Sequence, residues 1–322
     1  MPSSSEIRAQ VARESERRNR LAVPAFAGGF LYFISAIMVT ATLSSAPTVG
    51  LVQGLTPALH GEANPAVSPR ANEVKYISQH AFSLVAASAV KAISLVALTL
   101  VLLLLLDATR FRRPETWGAA RPLVMIGGFG LALVTLVHQI VSTVRAHQFA
   151  TGHDLSSHAV ERALTQGAVN VGSQYLDLLA ALALMAGIIA VCVNAMRVGL
   201  LTRWMGIVGI FSGVLIFLPI GGATLEIVPA FWMLAMGILY FGRWPNGEPP
   251  AWAAGEARPW PTAAERRAEQ QAQSDGYRES GVKPAEAASS SEPGEPTADT
   301  PAAVEPAPVP GGSPGRRRRK RK

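Results

Sequence analysis

Four ionisable side chains, Lys91, His138, Asp177 and Glu226, stand inside or at the border of long apolar stretches. A charge placed at the centre of a bilayer costs about 2.5 to 3.5 kcal/mol on insertion scales, so each such group needs a partner, a cavity or a route to water. Around His138 the spacing adds Thr135, Gln139 and Ser142, which together follow the i, i+3, i+4, i+7 rhythm of one helix face. Asp177 begins a second stripe that continues through Ala180, Leu184, Gly187, Val191 and Asn194. If these faces meet, Lys91, Thr135, His138, Gln139, Asp177 and Glu226 form a polar pocket able to hold a small solute or an ion. Lys91 and Asp177 are the most deeply placed charges of their signs, which predicts that they pair across the bundle. The same residues also admit a plainer arrangement. Lys91 can snorkel toward the headgroups, while Asp177 and Glu226 sit near helix N-termini, where the dipole favours a carboxylate.

Other chemistries are poorly served. The six histidines are His60, His80, His138, His147, His153 and His158, and only His147, His153 and His158 cluster in sequence. With Asp154 and Glu161 nearby they are suitable ligand types for Zn or Cu, but their spacing fits no tight motif, and no metal or cofactor is assigned. There is no phosphate-binding glycine loop followed by Lys, no His-Glu-x-x-His, no pair of cysteines and no Gly-x-Ser-x-Gly elbow. Gly127-Gly128-Phe129-Gly130 lies inside an apolar run without a preceding strand, so helix packing is its expected role, as it is for Gly209 and Gly213. Cys192 is the one cysteine, has no intrachain partner for a disulfide, and reads as a packing residue.

The elements that must position the pocket are apolar runs at 21–43, 81–106, 122–144, 174–196, 204–220 and 225–242. At 1.5 Å per residue the longer ones cross a hydrocarbon core of about 30 Å; the last two are short and must form a tight hairpin through Ile220-Gly221-Gly222-Ala223. The first run ends in Ser44-Ser45-Ala46, small residues of the kind that precede a signal-peptide cut, but Pro47 would hinder cleavage and the run exceeds a usual signal core. Basic residues follow the positive-inside rule for six spans with both ends inside. Five lie in 1–20, four in the second inner segment (Arg110, Arg112, Arg113, Arg121), two in the next (Arg197, Arg203) and thirteen from Arg243 onward, against Arg70, Lys75, Arg145 and Arg162 in the outer loops. The fold class is therefore an all-α membrane protein, a bundle of about six transmembrane helices, in three parts: a basic cytoplasmic leader 1–20, a membrane domain 21–243 and a cytoplasmic tail 244–322. A four-span version without the hairpin keeps the same end orientation.

In the outer loops, 49–59 is apolar enough to lie on or re-enter the membrane, and a helix is expected from Asp154, as N-cap, to Gln166. The tail is rich in Pro, Glu, Ala and Ser, a composition that predicts disorder. It ends in Arg316, Arg317, Arg318, Arg319, Lys320, Arg321 and Lys322. This heptad is suited to anionic lipids of the inner leaflet, with ribosomal RNA as the rival target and a bare topological anchor as the plain alternative.

The segment Asn194-Ala-Met-Arg197-Val-Gly-Leu-Leu-Thr-Arg203-Trp-Met-Gly-Ile-Val-Gly, with Phe231-Trp232, Gly242-Arg-Trp-Pro245 and Pro249-Pro-Ala-Trp252, resembles a family of uncharacterised multi-pass membrane proteins from high-GC actinobacteria. The resemblance covers the last three spans and the start of the tail. It implies a bacterial plasma membrane and a helical bundle, and supplies no activity or catalytic residues. The residues themselves rank a non-enzymatic membrane component acting through partners or its tail first. A small-solute or ion carrier comes second, and a membrane enzyme last for want of a clustered nucleophile, base or metal. A homo-oligomer or a membrane-protein partner stays open.

Overall fold

The computed structural model describes residues 3–50, 67–164, 168–218, 225–245 and 247–260, together with 52–53, 56, 59–61, 267–268 and 271–272. The chain divides into Met1–Thr262 and Ala263–Lys322, and all the packing below lies within the first unit. Among the described residues the protein is helical without strands: α1 Ser4–Leu43, α2 Ala71–Gln79, α3 Ala81–Arg112, α4 Ala120–Thr151, α5 Ser157–Leu164, α6 Ala168–Val198, α7 Arg203–Phe217, α8 Ile227–Tyr240 and α9 Pro250–Ala254. Four helices, α1, α3, α4 and α6, are long and apolar enough to cross a membrane, while α7 and α8 are apolar but have only 15 and 14 residues. The expected run 204–220 stops early because Leu218 precedes Pro219. The proline ring disfavours helical geometry in the residue before it, and Leu218 takes φ −103°, ψ 94°.

The leader is not a separate piece. A capping box of Ser3 and Glu6 starts α1, and the helix then runs unbroken for 40 residues through Pro24. At 1.5 Å per residue it is roughly 60 Å long, about twice the thickness of a hydrocarbon core.

The six apolar helices pack in a closed circuit, α1 on α3, α3 on α4, α4 on α6, α6 on α7, α7 on α8 and α8 back on α1, with α3 also touching α6 across the middle. Small residues permit the closest approaches. A Cβ on Gly29 would lie 2.7 Å from the backbone nitrogen of Leu234, and one on Gly127 would run into the backbone of Ala183 and Leu184. The glycine run in α4 is thus a packing surface, as its sequence setting predicts. Gly209 faces Cys192 and Trp232, and Gly213 faces Ile188. Cys192 is buried at that seam, and burial pins its role to packing.

One end of the circuit holds the N-terminus, the α3–α4 and α6–α7 links and the residues after α8. There Arg112, its side chain fully buried, pairs with Glu14 (Nη2–Oε2 2.8 Å) and donates to the Ala251 carbonyl from Nε at 3.1 Å and Nη2 at 2.8 Å. Arg18 binds Glu248 through both terminal nitrogens, at 3.2 and 2.9 Å. Trp252 lies between the guanidinium groups of Arg18 and Arg112, at 5.3 and 5.7 Å from its ring, and donates Nε1–H to the Leu200 carbonyl at 3.0 Å. This corrects the expectation that the tail begins at Trp244. Two tryptophans and a bidentate carboxylate tie 244–260 to the bundle although its Pro-rich composition reads as disordered. Most of 261–322, including the heptad, lies outside the described residues, as do the 220–223 hairpin and residues 51, 54–55 and 57–58 of the 49–59 stretch.

At the opposite end, Ala71 and Val74 of α2, Ala146 and Phe149 of α4, and Ala159 and Val160 of α5 form a small separate core. Helix α5 begins at Ser157, three residues later than expected. Asp154 instead accepts from the Ser156 amide at 3.0 Å, and the Ser156 hydroxyl accepts from the Ala159 amide at 3.3 Å. Ser156 is therefore the capping residue, and its hydrogen bonds hold the Asp154 carboxyl below the usual carboxylate range. Gln166 lies outside the described residues.

Candidate functional site

The half of the bundle away from the N-terminus encloses a cavity of about 720 Å³ between α1, α3, α4, α6 and the end of α7. Five of the six residues expected in the pocket line it: Lys91, Thr135, His138, Gln139 and Asp177. The sixth, Glu226, stands at the residue before α8, makes no side-chain capping bond there, and is joined instead to Lys91. Helical periodicity explains the convergence. Thr135, His138 and Gln139 occupy one face of α4, and that face packs on the α6 stripe in which Ala180, Leu184 and Val191 are buried.

The pairing differs from expectation. Lys91 Nζ donates to Glu226 Oε1 at 2.6 Å, whereas Asp177 accepts from the Thr135 hydroxyl at 3.2 Å. The long lysine stem passes Tyr32 of α1, with Nζ 5.4 Å from the ring centre, and ends at the mouth of α8. The geometry selects Glu226 because α1 brings an aromatic face that guides the ammonium to it, while Asp177 is turned to α4. Both carboxylates still act on Lys91 electrostatically.

His138 Nδ1 is 2.9 Å from the Ser173 hydroxyl. Gln174, Tyr175 and Phe217 complete the polar and aromatic lining. Tyr32, Ser173, Gln174 and Tyr175 were not singled out in the sequence. Tyr32 was within reach, because Ala22, Ala25, Gly29, Tyr32 and Ala36 form a small-residue stripe at helical spacing in which one tyrosine stands out.

The histidine cluster does not assemble. Among the described residues no three His, Cys, Asp or Glu side chains converge as metal ligands, and His147 Nδ1 lies instead 3.4 Å from the Ser78 hydroxyl. Asp154, near these histidines in sequence, is paired with Arg162 at 2.9 Å. No family model, curated protein or solved structure matches the chain.

Proposed function

We propose that this chain crosses a bacterial plasma membrane six times with both ends in the cytoplasm, and that it is a non-enzymatic membrane component binding a small polar solute in an outward-facing pocket. The cavity carries this reading: Lys91, Thr135, His138, Gln139, Gln174 and Asp177, from three apolar helices, converge on it, and the Lys91 ammonium is paired with Glu226. Polar groups gathered at membrane depth are costly unless a wet or occupied site gives them partners. That favours the pocket over scattered interfacial decoration.

Membrane residence draws on what the bundle exposes. Phe30, Ile126, Leu133, Leu179, Phe211 and Phe231 are exposed on five different helices, an apolar belt that a soluble protein would not present to water. Trp117, Trp204 and Trp244 lie at the end that holds the N-terminus, where an interfacial aromatic belt and the basic residues belong if that end is cytoplasmic. Helices α7 and α8, at roughly 22 and 21 Å, are apolar and shorter than a core of about 30 Å, and their crossings belong to this proposal. The heptad 316–322, seven basic residues in a row, has the charge to bind anionic lipid.

Cysteine labelling tests the reading. In a Cys192→Ala background, Gln139→Cys is expected to react with a small impermeant thiosulfonate added to intact cells, and a cysteine at Arg258 only after permeabilisation. Reaction at 258 without permeabilisation, or none at 139 under either condition, refutes it.

A further inference from the structure

We propose that the solute is a small organic cation, an ammonium whose charge is met by Asp177 and whose apolar part lies against Tyr175 and Phe217. The inference rests on the pocket reading above and adds the chemical class of its ligand.

Charge accounting comes first. Lys91 and Glu226 are 2.6 Å apart and cancel. Among the described residues Asp177 accepts one hydrogen bond, from the Thr135 hydroxyl at 3.2 Å, and Lys91 acts on it only at longer range. The side chains lining the cavity, taken with the Glu226 bonded to Lys91, include two carboxyl groups against one ammonium. A carboxylate lining a cavity with apolar walls attracts a cation more strongly than one on an open surface. An anionic solute meets the opposite situation. Among the described residues the one Lys or Arg side chain lining the cavity is Lys91, which is already committed to Glu226 and the face of Tyr32.

Size and lining separate an organic cation from a bare metal ion. A volume of about 720 Å³ lies in the range of sites for organic ligands, roughly 300 to 1,000 Å³. A potassium or sodium ion needs a tight cage of oxygens, whereas Leu131, Leu178, Ile216 and Phe217 give most of one wall no oxygen to offer. Aromatic side chains in the same lining as a carboxylate instead suit an ammonium carrying an apolar group, through ion pairing and cation–π attraction together. The amides of Gln139 and Gln174 can hold further polar groups of the solute.

The test uses the full chain in lipid nanodiscs, titrated calorimetrically with benzylammonium, benzyl alcohol and benzoate as probes of one shape and three charges. Benzylammonium is expected to bind saturably, at least tenfold more tightly than benzyl alcohol, with benzoate silent. Asp177→Asn should weaken it at least tenfold, Asp177→Glu should restore most of the affinity, and Gln139→Trp, which fills the cavity, should abolish it. If benzyl alcohol or benzoate binds as well as benzylammonium and Gln139→Trp blocks it, the pocket stands and the cation assignment is wrong. Equal affinity in Asp177→Asn overturns the assignment too. Binding of all three probes unaffected by Gln139→Trp, or absent altogether, overturns both readings.

Discussion

Glu14 and Arg112 offer the sharpest energetic test, because their ion pair is buried and the two residues are unequally supported. The Arg112 side chain is fully buried and that of Glu14 is 5% exposed. Arg112→Met removes the main partner of Glu14, leaving Gln10 Nε2 at 2.9 Å as its remaining side-chain donor. Stranding a buried charge in this way costs about 3 to 5 kcal/mol. Glu14→Leu is milder. Arg112 keeps the Ala251 carbonyl and that of Ala108 at 2.9 Å, so the loss is one charged hydrogen-bonding partner, about 1.5 to 3 kcal/mol. The double variant has no stranded charge and should be more stable than Arg112→Met alone, giving a coupling at least as large as the Glu14→Leu loss, about 1.5 to 3 kcal/mol. Reversible unfolding by SDS in mixed micelles, followed by tryptophan fluorescence, measures the cycle. Hydrogen exchange of the Arg258 amide supplies a local readout, since that amide is bonded to the Val198 carbonyl at 3.1 Å while 247–260 is docked. Exchange should quicken in Arg112→Met. Strictly additive losses, or an unchanged exchange rate in Arg112→Met, would refute the reasoning.

A second cycle on Lys91→Met and Glu226→Gln should show favourable coupling in the same assay, while Lys91→Met with Asp177→Leu should be much closer to additive; the reverse ranking would restore the pairing expected from sequence. Gly127→Val should destabilise the bundle by about 1 to 3 kcal/mol, because its Cβ meets the α6 backbone rather than a side chain that can move, and unfolding at wild-type detergent would contradict this. A synthetic 301–322 peptide should float with anionic but not neutral liposomes and lose that binding as salt rises. Cosedimentation with ribosomes in place of flotation would assign the heptad to RNA, and partitioning to neither leaves it a topological anchor.

Much of the pocket was legible in the sequence because it depends on local rules. Thr135, His138 and Gln139 share a face by the 3.6-residue period alone, and the period also aligns Asp177 with the buried stripe of α6. Which carboxylate Lys91 takes was not legible. It depends on α1 lying between α3 and α8, which places Tyr32 beside the ammonium, and no spacing within one helix encodes that neighbour. The end of α7 was written in Leu218-Pro219 and was overlooked in favour of hydropathy. Residues 244–260 were misread because composition averages over the window, whereas Trp252, Glu248 and the left-handed Gly255 at φ 67° fix the segment one contact at a time. At α5, Asp154 and Ser156 are both good caps, and only the geometry shows Ser156 accepting from the Ala159 amide.

A bundle that is both membrane-embedded and hollow toward the outside makes opposite demands on two residues one helical half-turn apart. Leu133 is 63% exposed on the outer surface of α4, and Thr135 lines the cavity. Nitroxide labels at Leu133→Cys and Thr135→Cys, each in Cys192→Ala and reconstituted in lipid, can be probed by their collision rates with oxygen and with a water-soluble nickel chelate. The label at 133 should collide with oxygen and scarcely with nickel, as in hydrocarbon, and the label at 135 should favour nickel. Nickel access at both positions would contradict membrane embedding, and oxygen dominance at both would contradict a water-accessible pocket.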